Sequence, residues 1–215
     1  MGWWESPKER KKEMNVNDVD DFKEIEVKDI LPAIEKRQLE LMEKYKDIEG
    51  LPDWPMEIDA KDTQVWIKDF LWRTTEELCE SREAHILGHE THKIEELIDA
   101  VHFLTECFIL VGMKPSITLE LMYDNFKRGG KGISGYEKNM GECIYFLGMV
   151  GNTLKNKKWK QTNILTDKAK FFQYLDTAYY HLLCTIFSCG CTPHDLYNFY
   201  FKKSEVNKFR QRSNY

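Results

Sequence analysis

The feature that most constrains the fold is a nearly continuous apolar run that follows an acidic motif. Residues 100–112 read Ala-Val-His-Phe-Leu-Thr-Glu-Cys-Phe-Ile-Leu-Val-Gly, directly after Glu95-Glu96-Leu97-Ile98-Asp99. The run predicts a helix that is buried along most of its length. Residues three apart lie on one face of a helix, so Glu96 and Asp99 form a carboxylate pair where this helix enters the core. Carboxylates in such a place need a partner.

A second acidic motif, Glu76-Glu77-Leu78-Cys79-Glu80, has the same helical spacing. One such motif alone is typical of a solvated helix face. Two of them on packed helices would bring four carboxylates together, and these would repel one another unless a cation lay between them. Hard oxygen ligands favour Mg²⁺ or Mn²⁺. The two motifs therefore predict a metal site that acts on phosphates.

The rest of the chain is predicted to be helical as well, because no segment shows the alternation of a sheet strand. Gly and Pro residues separate the candidate helices. With 215 residues and 42% hydrophobic composition the chain can bury a large core. We expect a loose N-terminal arm over residues 1–24 and one all-α domain over 25–215. The predicted helices span 29–45, 60–84, 91–111, 117–127, 136–155, 167–188 and 194–209.

A faint internal repeat indicates two fused, related helical modules within this bundle. Leu97-Ile98-Asp99 with Gly112 and Pro115 is echoed by Tyr174-Leu175-Asp176 with Gly190 and Pro193. The first module carries the acidic motif, whereas the second has Asn, Lys and Trp side chains around Trp159. Such a division suits a site that holds metal on one side and phosphate or base on the other.

Composition excludes several classes of function. The net charge of −5 argues against electrostatic binding to a nucleic acid polymer. There is no apolar stretch of membrane-spanning length and no signal-like N-terminus, so we expect a cytoplasmic protein without membrane contact. The cysteines within helical patterns are expected to be reduced core thiols. They are Cys79, Cys107, Cys143 and Cys184.

Two histidine and cysteine groupings have alternative interpretations. Cys184, Cys189, Cys191 and His194 could bind zinc, but their spacing is not a recognised ligand pattern and also fits an ordinary helix end. His85, His89 and His92 could line one helix face. Because Gly88 interrupts them, we favour a polar connection between the two acidic helices.

Three motifs together resemble the all-α, dimeric dUTP pyrophosphatases, relatives of the MazG-type nucleotide pyrophosphohydrolases. The first is ExxE at Glu77 and Glu80, and the second is ExxDxxHF from Glu96 to Phe103. The third is the C-terminal string from Tyr200 to Gln211, close to the family pattern YxxKNxxNxxRQ. The resemblance spans roughly residues 38–215. It implies an all-α homodimer that uses Mg²⁺, or Mn²⁺ as a substitute, to hydrolyse dUTP to dUMP and pyrophosphate.

The resemblance also implies roles for individual residues. Glu76 would orient or deprotonate water, and the nucleoside would lie against Gln38, His102 and Phe103, with the Phe103 ring excluding a 2′-hydroxyl. Mg²⁺ would be bound by Glu77, Glu80, Glu96 and Asp99, and the phosphates by Lys203, Asn207 and Arg210. The last three share one helical face by their spacing, on a C-terminal helix that we expect to be peripheral to the fold.

The chain departs from the family pattern at two places. Ser204 stands where the family usually has Asn, and the Trp expected after the first acidic helix is missing, so Trp159 is the candidate for the aromatic wall. Base identity therefore stays open, since an amide can rotate to suit either pyrimidine. The alternatives are a dCTP-preferring or broad pyrophosphohydrolase and, from another class, a catalytically inactive helical protein that binds a nucleotide or a partner.

Overall fold

The protein is described by a computed structural model that covers Phe22 and residues 24–116, 118–128 and 135–212, without the side chains of Glu49 and residues 210–212. This part of the chain has no strand, which confirms the all-α prediction. None of its helices is long and apolar enough to cross a membrane. Apart from Phe22 and Glu24, the predicted N-terminal arm lies outside the described residues. The helices are α1 (Ile30–Tyr45), α2 (Lys61–Leu87), α3 (Glu90–Leu110), α4 (Leu119–Arg128), α5 (Tyr136–Thr153), α6 (Lys168–Ser188) and α7 (Pro193–Arg212).

Two long helical hairpins, α2–α3 and α5–α6, form most of the bundle. The Leu-Ile-Asp and Tyr-Leu-Asp segments of the internal repeat lie in α3 and α6, one in each hairpin, and the relation of the hairpins as two fused modules stays a prediction. The α2–α3 connection contains only Gly88 and His89, and Gly88 has a φ of 74°, a conformation that glycine adopts without steric cost. The predicted polar connection is thus shorter than expected, because His85 lies within the last turn of α2 and His92 within the first turn of α3.

The core lies between α3 and α6, the two most apolar helices. Leu97 and Val101 of α3 and Leu175 and Leu182 of α6 are fully buried. The prediction of core thiols is confirmed for Cys107, Cys143 and Cys184, which are buried. It is wrong for Cys79, which is exposed on the outer face of α2. No cluster of cysteine and histidine ligands forms among the described residues, which leaves the zinc interpretation without support.

Helix α7 is an integral part of the fold, so the expectation that it is peripheral is wrong. It packs against α1 and α3, and Leu196, Tyr200 and Ser204 have no exposed surface. The Nε atom of Arg37 on α1 donates to the Ser204 hydroxyl at 2.6 Å. Burying these side chains brings the two ends of the described chain together, and the basic C-terminal motif therefore faces the acidic hairpin.

Candidate active site

Three carboxylates of the α2–α3 hairpin form an acidic cluster. Oxygen atoms of Glu77, Glu96 and Asp99 all lie within 4.8 Å of one another, and Glu96 is buried. One member of the first predicted pair, Glu77, thus meets both members of the second pair. Glu80, the fourth predicted ligand, lies one turn further along α2 and is exposed, outside this cluster. Its negative charge still contributes to raising the pKa of Glu77.

The electrostatics of the cluster favour a cation. Burial, a hydrogen bond with Glu96 and the neighbouring carboxylates raise the pKa of Glu77 to about 9. Burial opposes the charge of Lys203, but the Nζ atom lies 2.7 Å from Asp99 Oδ2, and the acidic neighbours raise the pKa of this lysine. A carboxyl that holds a proton at neutral pH can exchange it for a divalent ion. Three convergent carboxylates therefore fit a hard cation such as Mg²⁺.

A cavity of about 230 Å³ opens beside the acidic cluster. Helices α1, α2, α3 and α7 all contribute to it, together with Leu51 after α1. Seven of the eleven lining residues carry a charged group, an amide or an imidazole, and the other four are aliphatic or aromatic. This mixture suits a polar small molecule that also has an apolar part. The lining residues are Gln38, Leu41, Tyr45, Leu51, Arg73, Glu77, Asp99, His102, Phe103, Glu106 and Asn207.

Phe103 and Arg73 form an aromatic and cationic part of the cavity lining. The Phe103 ring lies 6.2 Å from the Phe70 ring, and the Arg73 guanidinium lies 5.6 Å from the Phe103 centroid. Arg73 also pairs with Asp69 at 3.0 Å. Arg73 is not among the predicted site residues, although it precedes Glu77 by one helical turn and so shares its face.

Buried hydrogen bonds surround Gln38, which also lines the cavity. Its Nε2 donates to Glu106 Oε1 at 2.5 Å, and its Oε1 contacts both His102 Nδ1 at 2.7 Å and the Tyr200 hydroxyl. The His102 and Tyr200 rings stack with centroids 4.0 Å apart. Burial, and then the charges of Lys203 and Arg37, lower the pKa of His102 to about 3, so this imidazole is neutral.

Other predicted residues take different positions. Asn207 lines the cavity one turn after Lys203, as the helical spacing predicts. The side chain of Arg210 lies outside the described residues, and Glu76 is exposed on α2. Trp159 is 78% exposed on the α5–α6 connection and does not line the cavity of this chain. The roles of these residues stay predictions.

Two further residues of the site, Glu106 and Tyr200, were not predicted from the sequence. Glu106 follows His102 by four residues, and a carboxylate inside the apolar run was a usable signal for a buried polar site. Tyr200 begins the C-terminal motif, but its contact with α1 depends on packing between distant parts of the chain.

The all-α bundle places a carboxylate cluster and two amides at one cavity, with a lysine paired to Asp99. This arrangement suits an enzyme that hydrolyses phosphate anhydrides. A family model described as dUTPase matches residues 88–215, which is more than half of the chain. The chain therefore belongs to this dUTPase family, and it is a dUTP diphosphatase. The matched range includes Glu96, Asp99 and α7, and it begins after Gln38 and Glu77. Comparison with curated proteins and with solved structures finds no match.

Proposed function

We propose that the enzyme hydrolyses dUTP to dUMP and pyrophosphate in the cytoplasm, with Mg²⁺ as cofactor and Mn²⁺ as a substitute. The observation that carries the proposal is the position of the Glu77, Glu96 and Asp99 cluster at the cavity that Gln38 also lines. Phosphates that reach the cluster would leave the nucleoside against the other lining residues, Gln38 and Phe103 among them. The family match supports the reaction class.

In this proposal the metal is held by Glu77, Glu96 and Asp99, and Glu80 approaches from the next turn of α2. When bound, Mg²⁺ neutralises phosphate oxygens and makes a bound water more acidic. Glu76 takes the proton of the attacking water. Lys203, Asn207 and Arg210 contact the phosphates; the two cations among them stabilise negative charge on the departing pyrophosphate.

The nucleoside in this proposal lies between Gln38, His102 and Phe103. The Phe103 ring packs against the deoxyribose, where a 2′-hydroxyl would have neither space nor a hydrogen-bond partner. Gln38 contacts the edge of the base. Trp159, which lies on an exposed connection, would complete the aromatic wall only if a second chain or a conformational change brought it near.

One set of assays tests the function. Pyrophosphate release is measured from dUTP, dCTP and UTP with Mg²⁺ and with EDTA, in the wild type and in Asp99→Asn. We expect Mg²⁺-dependent turnover of dUTP that the variant loses. Faster turnover of dCTP, or equal turnover of all nucleotides, would favour the broader pyrophosphohydrolase. Nucleotide binding without any turnover would favour the inactive binding protein.

We further propose that the enzyme is a homodimer that associates through α2. Val65, Trp72, Cys79 and Ile86 are exposed on this helix at intervals of seven residues, and Trp72 is 62% exposed. An apolar stripe of this spacing matches the seam of paired helices, and a second copy of the same stripe is its natural complement.

Sedimentation equilibrium of Trp72→Glu tests the dimer. We expect the variant to be monomeric, because the charge would be buried at the centre of the seam. Leu165→Glu, at an exposed apolar residue on the α5–α6 connection, is the matched control and should stay dimeric. A dimeric Trp72→Glu protein would place the interface elsewhere.

A further inference from the structure

We infer that Tyr200 sets the base preference of the enzyme by fixing which end of the Gln38 amide is available to the nucleobase. The inference rests on the proposed function, since it assumes that a pyrimidine enters the cavity. Gln38 lines this cavity and is 2% exposed, so its hydrogen bonds are made in a largely dry environment. Tyr200 is fully buried and does not line the cavity.

The neighbours of Gln38 determine the orientation of its amide. Nε2 of the amide donates to Glu106 Oε1 at 2.5 Å, so the donor end of Gln38 faces the carboxyl group. The Oε1 end then accepts from Tyr200 and from Nδ1 of His102. A reversed amide would require a proton on Glu106 and the other tautomer of His102.

Tyr200 is the third residue that disfavours a reversed Gln38 amide, after Glu106 and His102. Its hydroxyl donates to Gln38 Oε1, and a reversed amide would present an N–H group to this hydroxyl. The Tyr200 proton would then lose its acceptor inside a buried environment, which is unfavourable. The tyrosine hydroxyl therefore holds the amide in one orientation without touching the substrate, as a positioning residue.

The fixed orientation has a consequence for the base. A carbonyl oxygen has two lone pairs, and both are used by Tyr200 and His102. Nε2 has two hydrogens, and Glu106 takes one of them. The remaining N–H of Gln38 is a donor. It complements the 4-oxo group of uracil, whereas the 4-amino group of cytosine would set one donor against another.

Of the three residues that fix the amide, Tyr200 gives the cleanest test. His102 and Glu106 line the cavity, so their substitution would also change direct contacts with a substrate. Tyr200→Phe keeps the ring that stacks on His102 at 4.0 Å and removes only the hydroxyl. Tyr179→Phe is the matched control, because this buried tyrosine bonds to Thr105 at 3.3 Å.

The experiment measures kcat/KM for dUTP and for dCTP with Mg²⁺ in the wild type and both variants. We expect Tyr200→Phe to lower the ratio of the two values by about 3- to 10-fold, the range for one neutral hydrogen bond. The ratio should fall mainly through better use of dCTP, and Tyr179→Phe should leave it unchanged. Gln38→Met, which removes the donor, should bring the ratio close to one.

The possible results separate this inference from the proposed function. A wild type that prefers dUTP, with the same preference in Tyr200→Phe, overturns the inference and leaves the function intact. A preference for dUTP that survives in Gln38→Met overturns it as well, and this variant decides the question if Tyr200→Phe does not fold. A wild type that releases no pyrophosphate from dUTP overturns the proposed function itself.

Discussion

Replacing Glu77 by Gln should stabilise the metal-free protein at alkaline pH. The folded protein holds the pKa of Glu77 at about 9, whereas the ordinary value is 4.5. Between these two pH values the unfolded chain has released the proton and the folded chain still binds it. The free energy of unfolding therefore falls as pH rises through this window, and a glutamine, which does not ionise, removes the loss.

The size of the effect follows from the same pKa. At face value the difference between the two states corresponds to roughly 6 kcal/mol. The Glu77 side chain is only partly buried, and solvent and counter-ions screen the repulsion, so we expect about 2–3 kcal/mol. Each pH unit within the window should cost the wild type less than about 1.4 kcal/mol.

Urea unfolding in EDTA at pH 5.5, 7 and 8.5 measures this difference. The stability of Glu77→Gln relative to the wild type should grow steadily over the three pH values. Glu83→Gln, at an exposed residue of the same helix, is the control and should follow the wild type. Mg²⁺ should raise the stability of the wild type at pH 8.5 much more than that of Glu77→Gln. Parallel pH profiles for Glu77→Gln and the wild type would refute the assignment of the buried proton.

Three further substitutions test other parts of the structure. Asp99→Asn should reduce turnover of dUTP by at least about 100-fold in a pyrophosphate-release assay, because the cluster loses a charged ligand; full activity would remove Asp99 from the site. Phe103→Ala should lower the preference for dUTP over UTP in kcat/KM by about tenfold. An unchanged preference would show that the ring lines the cavity without selecting against the 2′-hydroxyl. Arg37→Met should cost about 1–3 kcal/mol in thermal unfolding, because Ser204 loses its partner in the core; an unchanged melting temperature would show that the α1–α7 contact contributes little.

The helices could be predicted from local signals. Gly and Pro fall at most of the breaks, and the apolar runs of α3 and α6 give both their type and their burial. The acidic cluster could also be predicted from the sequence, because the i, i+3 spacing fixes which carboxylates share a helix face. Glu80 was the exception, because the spacing does not say how far along α2 the contact with α3 extends.

The parts that could not be predicted depend on contacts between distant segments. Tyr200 reaches Gln38 only because α7 packs against α1, and nothing local to either helix indicates this. Cys79 was assigned to the core because it falls within a helical apolar pattern, but it lies on the exposed face of α2. A periodic pattern shows that a face is apolar. It does not show whether that face meets the core of its own chain or another surface.

The position of the carboxylate cluster on a single hairpin has a consequence for the order of folding. Glu77, Glu96 and Asp99 come together when one short connection at Gly88 closes, and the entropy cost of a short loop is small. The cavity also needs α1 and α7, whose contact between Arg37 and Ser204 spans 167 positions. Contacts of such long range form late in folding. A partly folded chain can therefore form the carboxylate cluster before it forms the cavity, and the proposed cation would stabilise the hairpin on which the two ends later dock.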